Sequence, residues 1–335
     1  MSETKKVHEV VRYDFILEAL TPIAHASESI GNTSLVMREK RRLPDGSFAH
    51  VPIITGDTMR HGLREAGAYA LLDAAGMLEN PALGEAALRL LFAGGMISGS
   101  QEGSVKLSDY SVMIDLCPPL GLLGGCAQNR AIPGKVQVDA ADLICDETAH
   151  RMPEWVNEWL KEHGVKLSSA RGHVEEVMRV RMDPSLDPGK RKLLTDGGLS
   201  IERRLLASEH GKEVGDVVIA DSSKSTMLPR NHETVVSGAL FYWSVTATVH
   251  TELERDTFNT MVGAFLRDAR VGGKRATGHG RIRPIIAKQI AVRRPREAPE
   301  NLDVGALAPK IGSLFFSHVS ERKEKVAKFL SEVDA

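Results

Sequence analysis

The sequence predicts an α+β fold in which strand and helix alternate twice to build one antiparallel sheet, interrupted by long insertions. Three observations carry that expectation. Near each end of the chain a segment of alternating polarity runs into an amphipathic helix. A last alternating segment closes the C-terminal half. The stretches between them are polar and rich in Gly and Pro.

Taken in order, Arg12–Leu20 places Tyr13, Phe15, Leu17 and Ala19 on one face and Arg12, Asp14 and Glu18 on the other, a half-buried strand. Thr21–Pro52 is polar, and Pro44-Asp45-Gly46 between Val36–Leu43 and Phe48–Ile54 predicts a hairpin that protrudes from the fold. Thr55-Gly56-Asp57-Thr58 opens a helix with Met59, Leu63, Ala66 and Ala70 on its apolar side. Asp57 and Thr58 are its candidate N-caps, and Arg60 and Arg64 lie one turn apart on its exposed side.

Leu91-Phe92-Ala93-Gly94-Gly95 is echoed by Leu122-Leu123-Gly124-Gly125, and Lys135–Ile144 reads as a strand. Residues 163–235 lack clear periodicity and read as an inserted, partly mobile excursion. From Ala239 to His250 the alternation is nearly strict, with Phe241, Trp243, Val245, Ala247 and Val249 pointing one way. Thr251-x-x-Glu254 is a capping box, Phe258, Met261, Val262, Phe265 and Leu266 form a helical stripe, and Gly272-Gly273 is the expected terminator. Arg281–Val292 is the last strand and Leu314–Val333 a terminal helix. Strand–helix–loop–strand at both ends is the ferredoxin-like, RNA-recognition-motif arrangement. The expected organisation is a single domain, 1–335. Its palm comes from about 7–20, 55–78, 133–146 and 236–295, its insertions from about 21–54 and 147–235, and a C-terminal helix covers 312–333.

Composition bounds the function. The 335 residues hold 43 Lys+Arg against 44 Asp+Glu, a net charge of −1, which excludes a polycation but not a local basic face. With 42% apolar and 26% charged residues, the chain is ordinary for a globular protein. Cys117, Cys126 and Cys145 have no paired spacing, so neither a disulfide framework nor a zinc site is expected. Cys117 and Cys126, next to Pro118 and Gly125, read as small buried residues. Met1–Lys6 leads into a polar segment without a signal-like apolar run, and Ala66–Leu78 is too short to span a bilayer. A cytoplasmic protein with no membrane partner is expected.

The neutral sum hides two opposed stretches. Residues 137–162 hold seven acids against two bases, a net −5. Arg270–Arg296 holds nine Lys and Arg in 27 residues and no acid. Four of its residues are glycines, at 272, 273, 278 and 280, so its backbone N–H groups can approach phosphate closely. Neither a Walker loop nor a G-x-G-x-x-G fingerprint is present. Arg38-Glu39-Lys40-Arg41-Arg42 is a second basic cluster, and the helix start around Arg60 and Arg64 a third. Catalytic patterns are poor. His25 with Glu28, and His163 and His173 with Glu175 and Glu176, lack the spacing of H-E-x-x-H. No catalytic residue, metal ligand or cofactor is assigned.

Three segments together resemble a family. Pro52-Ile53-Ile54-Thr55-Gly56-Asp57-Thr58-Met59-Arg60-His61-Gly62-Leu63-Arg64 is similar to the "IPG-S-S-L-R-G-x-L-R" segment of the RAMP superfamily. Leu122-Leu123-Gly124-Gly125, followed by Gly134-Lys135-Val136-Gln137-Val138-Asp139-Ala140, resembles its "LFG…G-x-V-x-V-x-D-A" stretch. Gly272–Arg281 resembles its C-terminal glycine-rich loop. With His25–Met37, which contains Gly31-Asn32, the chain looks most like the backbone subunit of a type IV CRISPR effector complex.

The resemblance implies a hand-shaped protein whose copies stack along a CRISPR RNA, beside other effector subunits, to meet a complementary target expected to be DNA. It implies guide contacts from Thr58, Arg60, His61 and Arg64 and from Gly273, Lys274, Arg275, His279 and Arg281; His25, Asn32, Arg38, Lys40, Arg41 and Arg270 join them as further candidate RNA-binding residues. Position and apolar–basic character place the family's thumb, which interrupts guide–target pairing, near Ser225–Asn231, with Met227 and Arg230. Asp57-Thr58 departs from the family's Ser-Ser. No aspartate stands in a convincing context for target cleavage, so the chain is expected to hold RNA and not to cut it. The alternative is a metal-dependent RNA-processing endonuclease of the same superfamily. The 5% aromatic content suits phosphate tracking better than base stacking on a sheet.

Overall fold

The computed structural model describes residues 6–79, 83–95, 103–104, 107–127, 130–179, 230–292, 298–307, 310 and 312–332. The long strand β1 (Lys6–Ala19) is followed by a hairpin, β2 (Ala26–Ile30) and β3 (Thr33–Val36), then by a second hairpin, β4 (Arg38–Arg42) and β5 (Phe48–Ile54). α1 (Gly56–Ala74) and α2 (Glu85–Ala93) come next, then β6 (Gly103–Ser104), α3 (Leu107–Leu116), α4 (Pro118–Leu123), β7 (Gly125–Ala127) and β8 (Arg130–Ile132). β9 (Val136–Val138), β10 (Ala141–Leu143), α5 (Glu154–Glu162), β11 (Val174–Arg179) and β12 (Arg230–Val235) lead to β13 (Leu240–Thr251). The chain continues through α6 (Glu252–Arg267), β14 (Ile282–Ile290), β15 (Glu300–Asn301), α7 (Leu314–Glu321) and α8 (Lys323–Glu332).

The main sheet runs β15-β14-β1-β13-β10-β5-β4, with β9 also paired to β13. Its middle four strands, with α1 and α6 as the crossovers, have the order of a ferredoxin-like fold, so the expected α+β class is the observed one. β1 pairs antiparallel with β13 and β14, setting Phe15 opposite both Trp243 and Ala287. That register places Tyr13, Phe15, Leu17 and Ala19 of β1 and Phe241, Trp243, Val245, Ala247 and Val249 of β13 together on the helix side. Phe15 stacks on Trp243 at 5.2 Å, Tyr13 stacks on Phe258 of α6 at 5.4 Å, and Phe265 meets Trp243 edge-on at 5.8 Å. Gly62 lets α1 approach α6 this closely, because a Cβ there would run into the Phe265 ring.

Several sequence expectations are corrected. β1 is buried on both faces, since Asp14 and Ile16 are 2% and 0% exposed. Met152 together with Val156 and Leu160 of α5 packs on that side with Trp155, Trp159, Tyr242 and Ile286. The second hairpin does not simply protrude, because Ile53 and Ile54 of β5 pair with Asp142 and Ala141 of β10 and extend the main sheet. The N-cap of α1 is Thr55, extended at φ −60°, whose hydroxyl accepts from the Thr58 N–H, while Asp57 lies in the first turn. Lys135–Ile144 is two strands, broken where Asp139 turns aside to accept a hydrogen bond from the Ser244 hydroxyl. α6 ends at Arg267, before Gly272-Gly273, because Asp268 leaves the helix and Arg270 bridges to Arg281. The terminal helix is broken at Arg322, so that Phe315 and Phe316 on one piece and Val326 and Leu330 on the other reach one apolar cluster with α1 and α2.

The echoed fragments Leu91–Gly95 and Leu122–Gly125 pack on each other, with Cys126 N–H donating to Gly94 C=O at 2.6 Å. The two long insertions also meet. β2 and β3 from the first, and β11 and β12 from the second, form one four-stranded sheet ordered β11-β12-β3-β2. Of the excursion expected over 163–235, the two ends form β11 and β12, and residues 180–229 lie outside the described residues. No described helix is long and apolar enough to cross a membrane.

Candidate nucleic-acid interface

Where the smaller sheet meets the main one, a groove of about 670 Å³ opens between the start of α1, the glycine-rich loop and β12. Its floor is Ala24-His25. Gly273 N–H donates to Ala24 C=O at 2.7 Å, and Met37 N–H donates to His25 C=O at 2.6 Å. The His25 ring is half buried, and its Nε2 accepts from Thr55 N–H at 3.4 Å. Burial lowers its pKa, because the imidazolium would lose water and the Thr55 bond together. Thr58 and His61 stand on the exposed side of α1 above it.

The facing wall is the loop after α6. Val271 N–H donates to Gly280 C=O at 2.8 Å and Gly280 N–H to Pro22 C=O at 2.9 Å, so the loop is pinned at its base. Gly280 has φ +86°, and a Cβ would run into the Val271 carbonyl, so only glycine closes this loop. At the tip Lys274 is left-handed, at φ 57°, and starts a short 3₁₀ turn through Arg275–Thr277. Arg275 bonds Gly272 C=O at 3.3 Å and Glu65 of α1 at 3.2 Å, tying the two walls together. The third wall is His232-Glu233. His232, 2% exposed, lies 5.8 Å from the ring of His279, itself 8% exposed.

Of the residues assigned from sequence, His25, Thr58, His61, Gly273, Lys274 and Arg275 line this groove. His279 is packed under the loop tip, and Arg270 and Arg281 flank its base, with Asp268 at 3.5 and 4.0 Å. The remaining assignments are not brought there. Arg60 is not on an exposed side: it donates to Val136 C=O at 2.9 Å and to Leu123 C=O, closing α1 onto the strand it precedes. Arg64, one turn on, packs against Gly94 beside Leu91, Leu120 and Leu123. Burial first and Arg60 second lower its pKa to about 10. The reason is helical spacing: Asp57, Thr58, His61 and Glu65 share one side of α1, and Arg60 and Arg64 another.

Asn32 is exposed in the β2–β3 turn, where its carbonyl accepts from Asn231 N–H at 3.0 Å. Arg38 pairs with Glu233 at 2.8 Å. Arg41 pairs with Asp142, and with Glu39 at 2.9 Å. Lys40 lies over the Phe48 ring at 4.3 Å. Arg230 begins β12 opposite Arg179, its side chain outside what is described, and Met227 falls outside the described residues altogether. Sequence reasoning missed Ser34, His232 and Glu233 as groove residues. β12 is polar at every position but its last, Val235, and Ser34 sits in the short strand β3, so neither segment carries a pattern that says which sheet it joins.

The opposite face of the main sheet, where an RNA-recognition domain would stack bases, is closed. Asp14 there accepts from Arg12 at 2.7 Å and from the Tyr242 hydroxyl at 2.8 Å, and Trp155 of α5 meets Tyr242 edge-on at 6.4 Å. No group of three His, Cys, Asp or Glu among the described residues is placed to hold a metal. His163 stacks on Trp159 at 4.5 Å, and His173 Nε2 lies 2.9 Å from Ser168 Oγ. Cys117 and Cys145 are buried, and burial pushes their thiols up to about 12 and about 11, so neither carries a reactive thiolate. Cys126 is only half buried.

No protein-family model matches the chain, and no curated protein matches it. Among solved structures, a chain of a "Type IV-B CRISPR Complex" is similar over 88% of this chain and 96% of that one, at 18% identity and a TM-score of 0.51. At that identity the likeness is one of fold.

Proposed function

We propose that this chain is a CRISPR RNA-binding backbone subunit of a type IV effector complex, acting in the cytoplasm against plasmids or viruses. Copies stack along the guide into a helical filament beside other effector subunits, and the guide meets a complementary target strand, read as DNA. The observation that carries this is the meeting of two sequence segments in one groove. The start of α1 and the Gly272–Arg281 loop, chosen for their family-like motifs, face each other across it. The likeness in fold, over 88% of this chain, to a chain of a type IV-B complex supports the same reading.

In chemical terms the groove suits a phosphodiester backbone. Lys274 supplies charge at the loop tip, the first turn of α1 supplies the positive end of a helix dipole, and Thr58 and His61 supply hydrogen-bonding groups. Phosphate contacts of this kind give affinity and register, while base pairing supplies specificity. With the sheet face closed by α5, the bases are left outward for pairing. The subunit holds its RNA without cutting it.

The test is to express the chain with and without a CRISPR array and to sequence whatever nucleic acid copurifies. Repeat-derived RNA of defined length, with RNA-dependent multimers, is the expected result. A monomer free of nucleic acid at low salt would sink the proposal, and specific cleavage of labelled precursor RNA would favour the endonuclease alternative.

A further inference from the structure

We propose that the outward face of the β4–β5 hairpin is a second single-strand-binding surface, separate from the groove, that holds a polynucleotide by phosphate contact and base stacking. It does not depend on the groove's being an RNA site.

The register creates the surface. β4 and β5 pair Arg38 with Pro52, Lys40 with His50 and Arg42 with Phe48, so these six side chains share one face. Arg41 and Glu39, paired with Ala49 and Val51, take the other face, where Arg41 is neutralised by Asp142. The strand's period of two therefore leaves Lys40 and Arg42 outward while their acid neighbour Glu39 points away.

Phe48 is 57% exposed, and Lys40 sits 4.3 Å above its ring. An exposed aromatic ring set among basic residues and a histidine is the pattern of a sequence-tolerant single-strand platform. The ring takes a base face, and the cations take the phosphates on either side. The one acid at the tip, Asp45, is turned back into the loop, accepting from Ser47 N–H at 2.9 Å and Ser47 Oγ at 2.7 Å.

Position supports the same reading. Arg38 at the inner end of the face pairs with Glu233, a groove residue, so the ribbon leaves the groove wall and runs outward. From Arg38 to Arg42 it extends about 13 Å. Basic side chains also keep a sheet edge from pairing with other chains. That role alone would not need an exposed phenylalanine beside them.

The experiment uses the full chain with labelled oligouridylate and oligodeoxythymidylate, read by fluorescence anisotropy across a salt series. Phe48→Ala is expected to weaken binding about tenfold with little change in salt slope. Arg42→Gln is expected to lower the slope by about 0.7. Phe48→Trp is expected to bind at least as well as the natural chain. A loss with the ribonucleotide, the deoxyribonucleotide or both supports the surface and tells which strand it takes. Unchanged affinity and slope with both polymers would overturn it, as would a Phe48→Trp variant no better than Phe48→Ala. Lys274→Gln separates the two sites. Weakening by Lys274→Gln alone leaves the groove standing and removes the hairpin; weakening by Phe48→Ala alone does the reverse.

Discussion

The two basic stretches, Arg38–Arg42 and Arg270–Arg281, look alike as charge runs but spend their charges differently. In the hairpin the strand sorts them by parity: Arg41 goes under the sheet to Asp142, while Lys40 and Arg42 stay out. In the glycine-rich loop no period operates. There the acid-free segment takes its acids from outside itself: Glu65 of α1 for Arg275, and Asp268, just past the end of α6, for Arg270 and Arg281. Charge density in a sequence is thus an upper bound on the charge a ligand meets. Within a regular element the discount can be read from spacing, and within an irregular loop it cannot.

The largest expected effect separates loop charge from hairpin charge. Replacing Lys274 and Arg275 together by Glu should weaken nucleic-acid binding on the order of 100-fold at low salt and lower the salt slope by about 0.7, the share of Lys274, because Arg275 is already held by Glu65. Arg41→Gln in the same titration should bind nearly as the natural chain does, because its guanidinium is already held by Asp142. Equal losses in the two variants would dissolve the contrast.

Next in size is the geometry of the loop. Gly280→Ala should cost about 1–3 kcal/mol, since φ +86° disfavours a side chain and the Val271 carbonyl occupies its place. Urea unfolding checks the cost, and anisotropy on the folded fraction should show weaker binding at an unchanged slope. A stable Gly280→Ala protein would mean that the loop's shape is dispensable and only its charge matters. Smaller still is the Arg38–Glu233 pair. Both side chains keep some exposure, 26% and 20%, so Arg38→Gln should cost no more than ~1 kcal/mol in the same urea assay. A larger loss would make that pair a structural strut of the groove wall.

How much of this was legible in the sequence follows the same divide. Strands β1 and β13, helices α1 and α6 and the hairpin turn carry their periods openly, so the palm could be read and its ferredoxin-like order expected. The second buried face of β1 could not be read, because Asp14 is polar by type and is buried only with Arg12 and Tyr242 as partners. The loop and the helix start were recognisable as site elements. Which arginines of α1 face the groove turned on a helical phase that the sequence contained. Asp57, Thr58 and His61 share that side, whereas the more conspicuous Arg60 and Arg64 cap carbonyls and fill a crevice. His232 was invisible to this kind of reasoning, since it joins the groove only because two insertions far apart in the chain pair in parallel.

The finest test addresses the residues that join the two basic stretches. Ala24 accepts from Gly273 of the loop, and His25 accepts through its carbonyl from Met37 at the entry to the hairpin. Its ring must be neutral at Nε2 to accept from Thr55 N–H, and burial holds its pKa below the ordinary histidine value. Between the folded and unfolded pKa values the unfolded chain binds more protons, so stability rises with pH through that window. It is complete above about 6.5 and is lost as pH falls through the unfolded value toward the folded one. His173, also lowered by burial, contributes with the same sign. Urea midpoints should therefore be lower near pH 5 than near pH 7, and His25→Gln should shrink that difference while His173→Gln shrinks it separately. A pH difference untouched by His25→Gln would place the acid sensitivity outside the junction, and the loop and the hairpin would then be joined by backbone alone.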